Sequence, residues 1–134
     1  MTFALSTRSR AKLFGVHPDL VAVVERAITH SPFEFMVLEG LRTRERQAEL
    51  VRIGASRTLN SRHLSSHAVD IAPVIDGKVS WAWPLYWKLN DAMQRAATEL
   101  GTPIVWGGRW QTFPDGPHFE LPWDRYPLAN EAKT

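Results

Sequence analysis

Helical and strand periodicities alternate along this chain, and turn residues separate them. Leu20, Val23, Val24 and Ala27 recur at helical spacing behind Pro18, so a helix is expected over about residues 18–30, stopped by Pro32. Residues 33–39 are short, apolar-rich and alternating at their start, which predicts a strand ended by Gly40. Thr43 is placed to cap a second helix carrying Gln47, Ala48, Leu50, Val51 and Ile53 up to Gly54. Residues 55–66 are polar without a period and read as loop. Residues 68–74 read as a strand, and Asp76-Gly77 as a hairpin turn into residues 78–81. The longest helical pattern covers residues 84–100, with Leu85, Leu89, Met93, Ala96 and Leu100 on one stripe and Gly101 beyond it. Residues 104–106 and 118–121 form two more short strands around a Gly/Pro-rich loop, and the polar tail after about residue 127 is expected to fray.

Helices and hairpin-linked strands in this order predict a small α+β single domain over residues 1–134, with a largely antiparallel sheet and flanking helices. A chain of 134 residues is long enough for a hydrophobic core, and neither a repeat nor an internal linker is visible. The absence of cysteine removes disulfides, Cys-rich zinc fingers and thiol nucleophiles from consideration. A sequence pI of 9.3 beside a net charge of only +2 reflects how little titrates between neutrality and lysine. No basic stripe accompanies the aromatics, so nucleic-acid binding is not expected. No apolar run approaches the roughly 18 residues of a membrane span, so stable membrane insertion is not expected either. The amino terminus lacks the apolar stretch of a secretory signal, which predicts a product held in the cytoplasm until something releases it.

The chemistry concentrates in two runs. Residues 61–70 hold His63 and Asp70 seven positions apart, and residues 115–120 hold His118 three positions after Asp115. Two imidazoles and one carboxylate are a complete protein ligand set for a catalytic zinc ion, whose fourth position stays open to water. Asp115, across the tight Gly116-Pro117 turn, is then a candidate base for that water. Arg42, just beyond Gly40-Leu41, could steady a substrate carbonyl, an oxyanion or a carboxylate.

The runs Ser61-x-His63 through Asp70 and Asp115-x-x-His118-x-Glu120 resemble the metal site of the M15 zinc peptidases. That family includes D-alanyl-D-alanine carboxypeptidases and bacteriophage L-alanyl-D-glutamate endopeptidases. The whole chain also resembles the small phage endolysins, and the resemblance runs over about residues 5 to 121. Its other signposts are Leu5-Ser6, Arg8-Ser9, Gly15-Val16-His17-Pro18-Asp19-Leu20 and Glu39-Gly40-Leu41-Arg42-Thr43. It implies a Hedgehog/DD-peptidase-like fold, Zn2+ on His63, Asp70 and His118, Asp115 as base, and Arg42 stabilising the transition state or substrate. It also implies that the substrate is a peptidoglycan stem peptide, cut at L-alanyl-D-glutamate. A D,D-carboxypeptidase and a non-catalytic zinc-stabilised binding module stay as alternatives. A monomer that reaches the periplasmic wall after holin-dependent release completes the expectation. One departure is visible: Ser66 stands where the family usually has glycine, which would strain the loop if that position needs φ > 0.

The remaining polar and aromatic residues carry competing readings. Ser61, His67 and Glu120 are candidate substrate contacts, against loop closure, solvent exposure and a structural salt bridge respectively. Trp106 and Trp110 could line a groove, whereas Trp81, Trp83 and Trp87 read as core. His17 and His30 read as structural or surface residues, and Arg44 and Arg46 as a solvated helix face.

Overall fold

The structure, a computed structural model, describes residues 2–128. In chain order it contains α1 (Thr7–Lys12), α2 (Pro18–His30), β1 (Glu34–Glu39), α3 (Arg44–Arg52), β2 (Ala68–Ile75), β3 (Lys78–Val79), α4 (Trp83–Leu100), β4 (Val105–Trp106) and β5 (His118–Glu120). Single 3-10 turns cover Arg62–Ser65 and Gly107–Arg109. All strand pairings are antiparallel, in the order β1-β2-β5-β4, with β3 on the C-terminal end of β2. The expected α+β architecture is therefore present, and its boundaries fall close to those read from the pattern.

Local chemistry explains the ends of the elements. Pro18 occupies the first turn of α2, and the His17 Nδ1 accepts the Asp19 N–H at 3.0 Å, so His17 is a helix cap. Thr43 caps α3 by accepting the Arg46 N–H at 3.1 Å. Asp76 and Gly77 both have positive φ (53° and 79°), the signature of a type I′ turn between β2 and β3. Helix α1 was not legible because its one buried residue is Ser9, whose Oγ accepts the Val37 N–H at 3.0 Å.

One face of the sheet makes the core. Phe35, Val37, Val69, Ile71 and Phe119 alternate inward and meet Leu20, Val23, Val24 and Ala27 of α2 with Leu89, Met93 and Ala96 of α4. At their exposed rim these helices are also joined by Arg26 and His30 to Glu99. Exposed ion pairs contribute about 0–1 kcal/mol each, whereas deleting one buried Leu or Met side chain costs about 2–5 kcal/mol, so the apolar contact dominates.

Apolar residues in two places stay out of the core, and for the tryptophans this corrects the expectation. Helix α3 buries only Gln47, and Ile53 is 55% exposed, because α3 forms the wall of a cleft and does not cover the core. Trp81, Trp83 and Trp87 are not core either, at 65%, 45% and 46% exposed. The reading of a frayed tail falls, from residue 129 onward, outside the described residues.

Ser66 sits at φ 70°, ψ 16°, immediately after the 3-10 turn that carries His63. Its carbonyl accepts the His17 N–H at 2.8 Å, which fixes the loop against the start of α2. The position therefore does require left-handed backbone, and serine is strained there by about 1–2 kcal/mol. Ser66→Gly is expected to stabilise the fold by about 0.5–1 kcal/mol after the unfolded-state entropy of glycine is subtracted. Thermal denaturation should show this as a Tm rise of about 2–4 °C. An unchanged or lowered Tm would contradict the strain argument.

Candidate metal centre and active-site cleft

Strand register builds the centre. Ala68, Val69 and Asp70 of β2 stand opposite Glu120, Phe119 and His118 of β5. Directly opposed side chains share a face, so Asp70, His118 and Glu120 project together, while Val69 and Phe119 enter the core. His63 joins them from the 3-10 turn capped by Ser61, whose Oγ accepts the His63 N–H at 3.2 Å.

The His63 Nε2 lies 3.1 Å from Asp70 Oδ1, and the His118 Nδ1 lies 3.4 Å from the same oxygen. One ligand atom from each of these three residues lies within 4.8 Å of the others. Each imidazole uses its second nitrogen elsewhere. His63 Nδ1 is 2.7 Å from the Gly40 carbonyl, so it donates there and leaves Nε2 free to ligate. His118 Nε2 is 2.7 Å from Glu120 Oε1, which leaves Nδ1 facing Asp70. A backbone carbonyl and a carboxylate on the outer nitrogens are the partners that metal-bound histidines use. The donor set therefore fits a divalent cation, and the His63–Asp70–His118 group could hold a metal ion.

Electrostatics point the same way. Burial alone would raise the Asp70 pKa, but hydrogen bonds from His118 and His63 hold it below the usual carboxylate range. Burial would lower that of His118, yet Asp70 and Glu120 push it up to about 9. In the metal-free chain the centre thus holds a proton that an incoming cation must displace.

The centre opens into a cleft of about 600 Å³. Leu50, Ser56 and Thr58 form part of its wall, with Ser61, Trp110 and Trp123. Asp115 also lines it, and burial together with the nearby Asp70 charge raises its carboxyl pKa. That direction suits a group that gives and takes protons near neutrality. Arg42, also on the wall, donates from Nη1 to Gln47 at 2.7 Å and from Nη2 to Glu39 at 2.5 Å and Asp70 at 3.4 Å. Its buried Nε has no hydrogen-bond partner among the described residues.

The structure brings most of the expected site residues to this cleft: Arg42, Ser61, His63, Asp70, Asp115, His118 and Glu120. Two do not belong to its lining. His67 points the other way, with its Nδ1 2.8 Å from Ser65 Oγ and its ring 5.6 Å from that of His17 and 6.3 Å from that of Tyr126. Trp106 is 2% exposed, and its indole N–H donates to the Gly116 carbonyl at 2.7 Å, which buttresses the loop behind Asp115. Trp110 is the tryptophan at the cleft, its ring 5.0 Å from that of His118.

Several contributors were missed in the sequence. Gln47 ties Arg42 to the cleft rim by donating to Ser56 Oγ at 2.9 Å and the Thr58 carbonyl at 2.6 Å. Glu39 reaches Arg42 because a β-bulge at Leu38 shifts the β1–β2 register and sets Glu39 opposite Asp70. Arg62 is buried beside His63, donates to the Leu121 carbonyl at 3.0 Å and that of Tyr126 at 2.6 Å, and stacks over Trp123 at 4.2 Å. A polar residue within the apolar α3 pattern was the signal for Gln47, whereas the bulge and the Arg62 clamp left none.

A family model for phage L-alanyl-D-glutamate peptidases matches residues 1–121, a span that includes every residue of this centre. The chain belongs to the phage L-alanyl-D-glutamate peptidase family. The L-alanyl-D-glutamate peptidase of Escherichia phage T5 is 32% identical over 119 residues, covering 86% of this chain and 87% of that protein. An L-alanyl-D-glutamate peptidase of a Listeria phage is 31% identical over 129 residues, covering 94% of this chain and 45% of that longer protein. The crystal structure of the Serratia marcescens L-Ala D-Glu endopeptidase ChiX superposes with a TM-score of 0.89 at 48% identity. That match covers 95% of this chain and 96% of the ChiX chain. Among the described residues, no helix of this family member is long and apolar enough to cross a membrane.

Two outcomes follow for metal binding. Because a proton must leave His118, cation affinity should rise by about tenfold per pH unit as pH increases toward about 9. Calorimetry in buffers of different ionisation enthalpy should show about one proton released near neutral pH. Glu120→Gln weakens the outer partner of His118 and should lower affinity by about 10–100-fold. Equal affinity in the variant would remove Glu120 from the centre's support.

Proposed function

We propose that this protein is a zinc-dependent peptidoglycan endopeptidase that cleaves the L-alanyl-D-glutamate bond of the stem peptide. The observation that carries the reading is the three-residue ligand group at the floor of a cleft that also presents Asp115 and Arg42. Family membership supports the choice of bond. His63 through Nε2, Asp70 through its carboxylate and His118 through Nδ1 would hold the zinc. Zinc bound there would polarise the scissile carbonyl and acidify a water molecule.

The chain supplies the proton handling. Asp115 takes a proton from the attacking water and delivers it to the leaving amine of D-glutamate, which its raised pKa favours. Arg42, on the cleft wall, bears through its fixed positive charge on the charge that develops at the carbonyl oxygen. Gln47 and Glu39 hold that guanidinium in place, so little reorganisation accompanies the reaction. The wall peptide is the substrate, and the wall the place of action.

Asp115→Ala should lower kcat by about 10²–10⁴-fold while leaving one zinc per chain. The measurement is digestion of purified sacculi with mass spectrometry of the fragments, run beside elemental analysis of both proteins. Release of free D-alanine alone would replace the endopeptidase by a D,D-carboxypeptidase. Zinc-loaded wild type that cuts neither sacculi nor isolated muropeptides would be a binding module.

A further inference from the structure

Two of the three tryptophans that fail to join the core, Trp81 and Trp83, line another recess. Trp81, Trp83 and Tyr86 form one side of a hollow of about 290 Å³, and the loop 114–117 forms the other. Asp115 belongs to this hollow and to the metal-centre cleft alike, so the two are neighbours across one carboxylate. The Trp81 and Tyr86 rings are nearly parallel, 9° apart, and Trp83 meets Tyr86 at 64°. Beyond them Trp87 stands against the buried Trp106 at 4.9 Å, with the Arg109 guanidinium 5.1 Å above its ring.

The hollow is rigidly joined to the Asp115 loop. A Cβ at Gly116 would lie 3.2 Å from the Tyr86 ring, so the loop backbone rests directly on the aromatic wall. The Gly116 carbonyl is also held by the Trp106 indole N–H at 2.7 Å. Among the described residues no cation lines the recess, and its one charged residue is Asp115. An acidic peptide gains nothing there. A neutral ring with apolar C–H faces and hydroxyl edges fits it, because aromatic faces pack against such C–H surfaces and exclude water from them.

We infer that Trp81 and Trp83 form a subsite for the neutral N-acetylated sugar of the glycan strand, on the amino side of the scissile bond. The inference rests on the proposed endopeptidase activity for its location. In peptidoglycan the L-alanine amino group is amidated by the lactyl group of a muramyl sugar, so one residue and one lactyl unit separate sugar from scissile carbonyl. Two such units span roughly 7 Å, a short tether, and Asp115 lines both compartments. The sugar bears no charge once its lactyl carboxyl is amidated, in keeping with a recess without cations. The subsite selects glycan-linked stem peptides over peptides already released from the wall.

The test compares a disaccharide-tetrapeptide with the same tetrapeptide free of sugar, for wild type, Trp81→Ala, Trp83→Ala and Trp81→Phe. Wild type should prefer the glycan-bearing substrate through KM. Trp81→Ala and Trp83→Ala should raise KM for that substrate by roughly tenfold, the scale of one aromatic contact, with kcat on the free peptide unchanged. Trp81→Phe should restore most of the preference. Equal loss on both substrates, or no loss on either, overturns the subsite. Calorimetric titration with peptide-free N-acetylglucosamine–N-acetylmuramic acid oligosaccharides separates this claim from the activity. If wild type cuts neither substrate, binding of these sugars that Trp81→Ala abolishes still upholds the subsite. No sugar binding, or Trp81-dependent binding to phosphatidylglycerol vesicles instead, overturns it.

Discussion

Pairing of β2 with β5 in the register that opposes Asp70 to His118 decides both what is buried and what can bind a metal. The same three-residue ladder sends Val69 and Phe119 into the core, each fully buried. A slip of one residue would exchange the faces, placing a carboxylate and an imidazole among Leu89, Met93 and Ala96 and a phenyl ring in the cleft. Fully burying a phenylalanine is worth about 1.5–3 kcal/mol, and an unpaired buried charge costs more. The hydrophobic core therefore enforces the geometry of the candidate ligand group.

Around that ladder the chain assembles cleft walls from irregular structure. The bulge at Leu38 turns Glu39 toward Arg42, and Gln47 passes the constraint on to residues 56 and 58. On the other side, Arg62 gathers the carbonyls of Leu121 and Tyr126 next to the turn that carries His63. The walls are thus polar networks, and removing one partner of such a network leaves the others buried without compensation. Loop 114–117 stands between two aromatic supports, Tyr86 and Trp106, so the base candidate is carried by a loop with little freedom to move.

Much of this was readable from residue order. The periods of α2, α4, β1 and β2 were plain because each presents a regular apolar face, and the candidate ligand residues stood out through their spacing and family resemblance. Helix α1 was hidden because a serine fills its buried position. Helix α3 showed an apolar pattern, yet its environment is a cleft, where Gln47 matters more than Ile53. Tryptophan type alone did not separate Trp106, buried behind the loop, from Trp81 and Trp83 on the surface. His67 shared its run with His63, but the left-handed Ser66 reverses the chain just before it and turns it toward His17. Backbone conformation and tertiary partners decided these positions, and neither is written in a local pattern.

Gly40 illustrates a different kind of dependence. Its carbonyl orients His63, and a Cβ at this position would stand 2.7 Å from Val16 Cγ2 and closer still to the Lys12 carbonyl. The acceptor that fixes a ligand's tautomer is thus a main-chain atom, pressed against the segment that joins α1 to α2. Every amino acid supplies the same carbonyl, so no substitution deletes it; a larger residue there can only displace it. Tolerance at position 40 is consequently a matter of volume and not of chemistry, and the tuning of the metal centre is inherited from how tightly the amino-terminal segment packs some distance from the cleft.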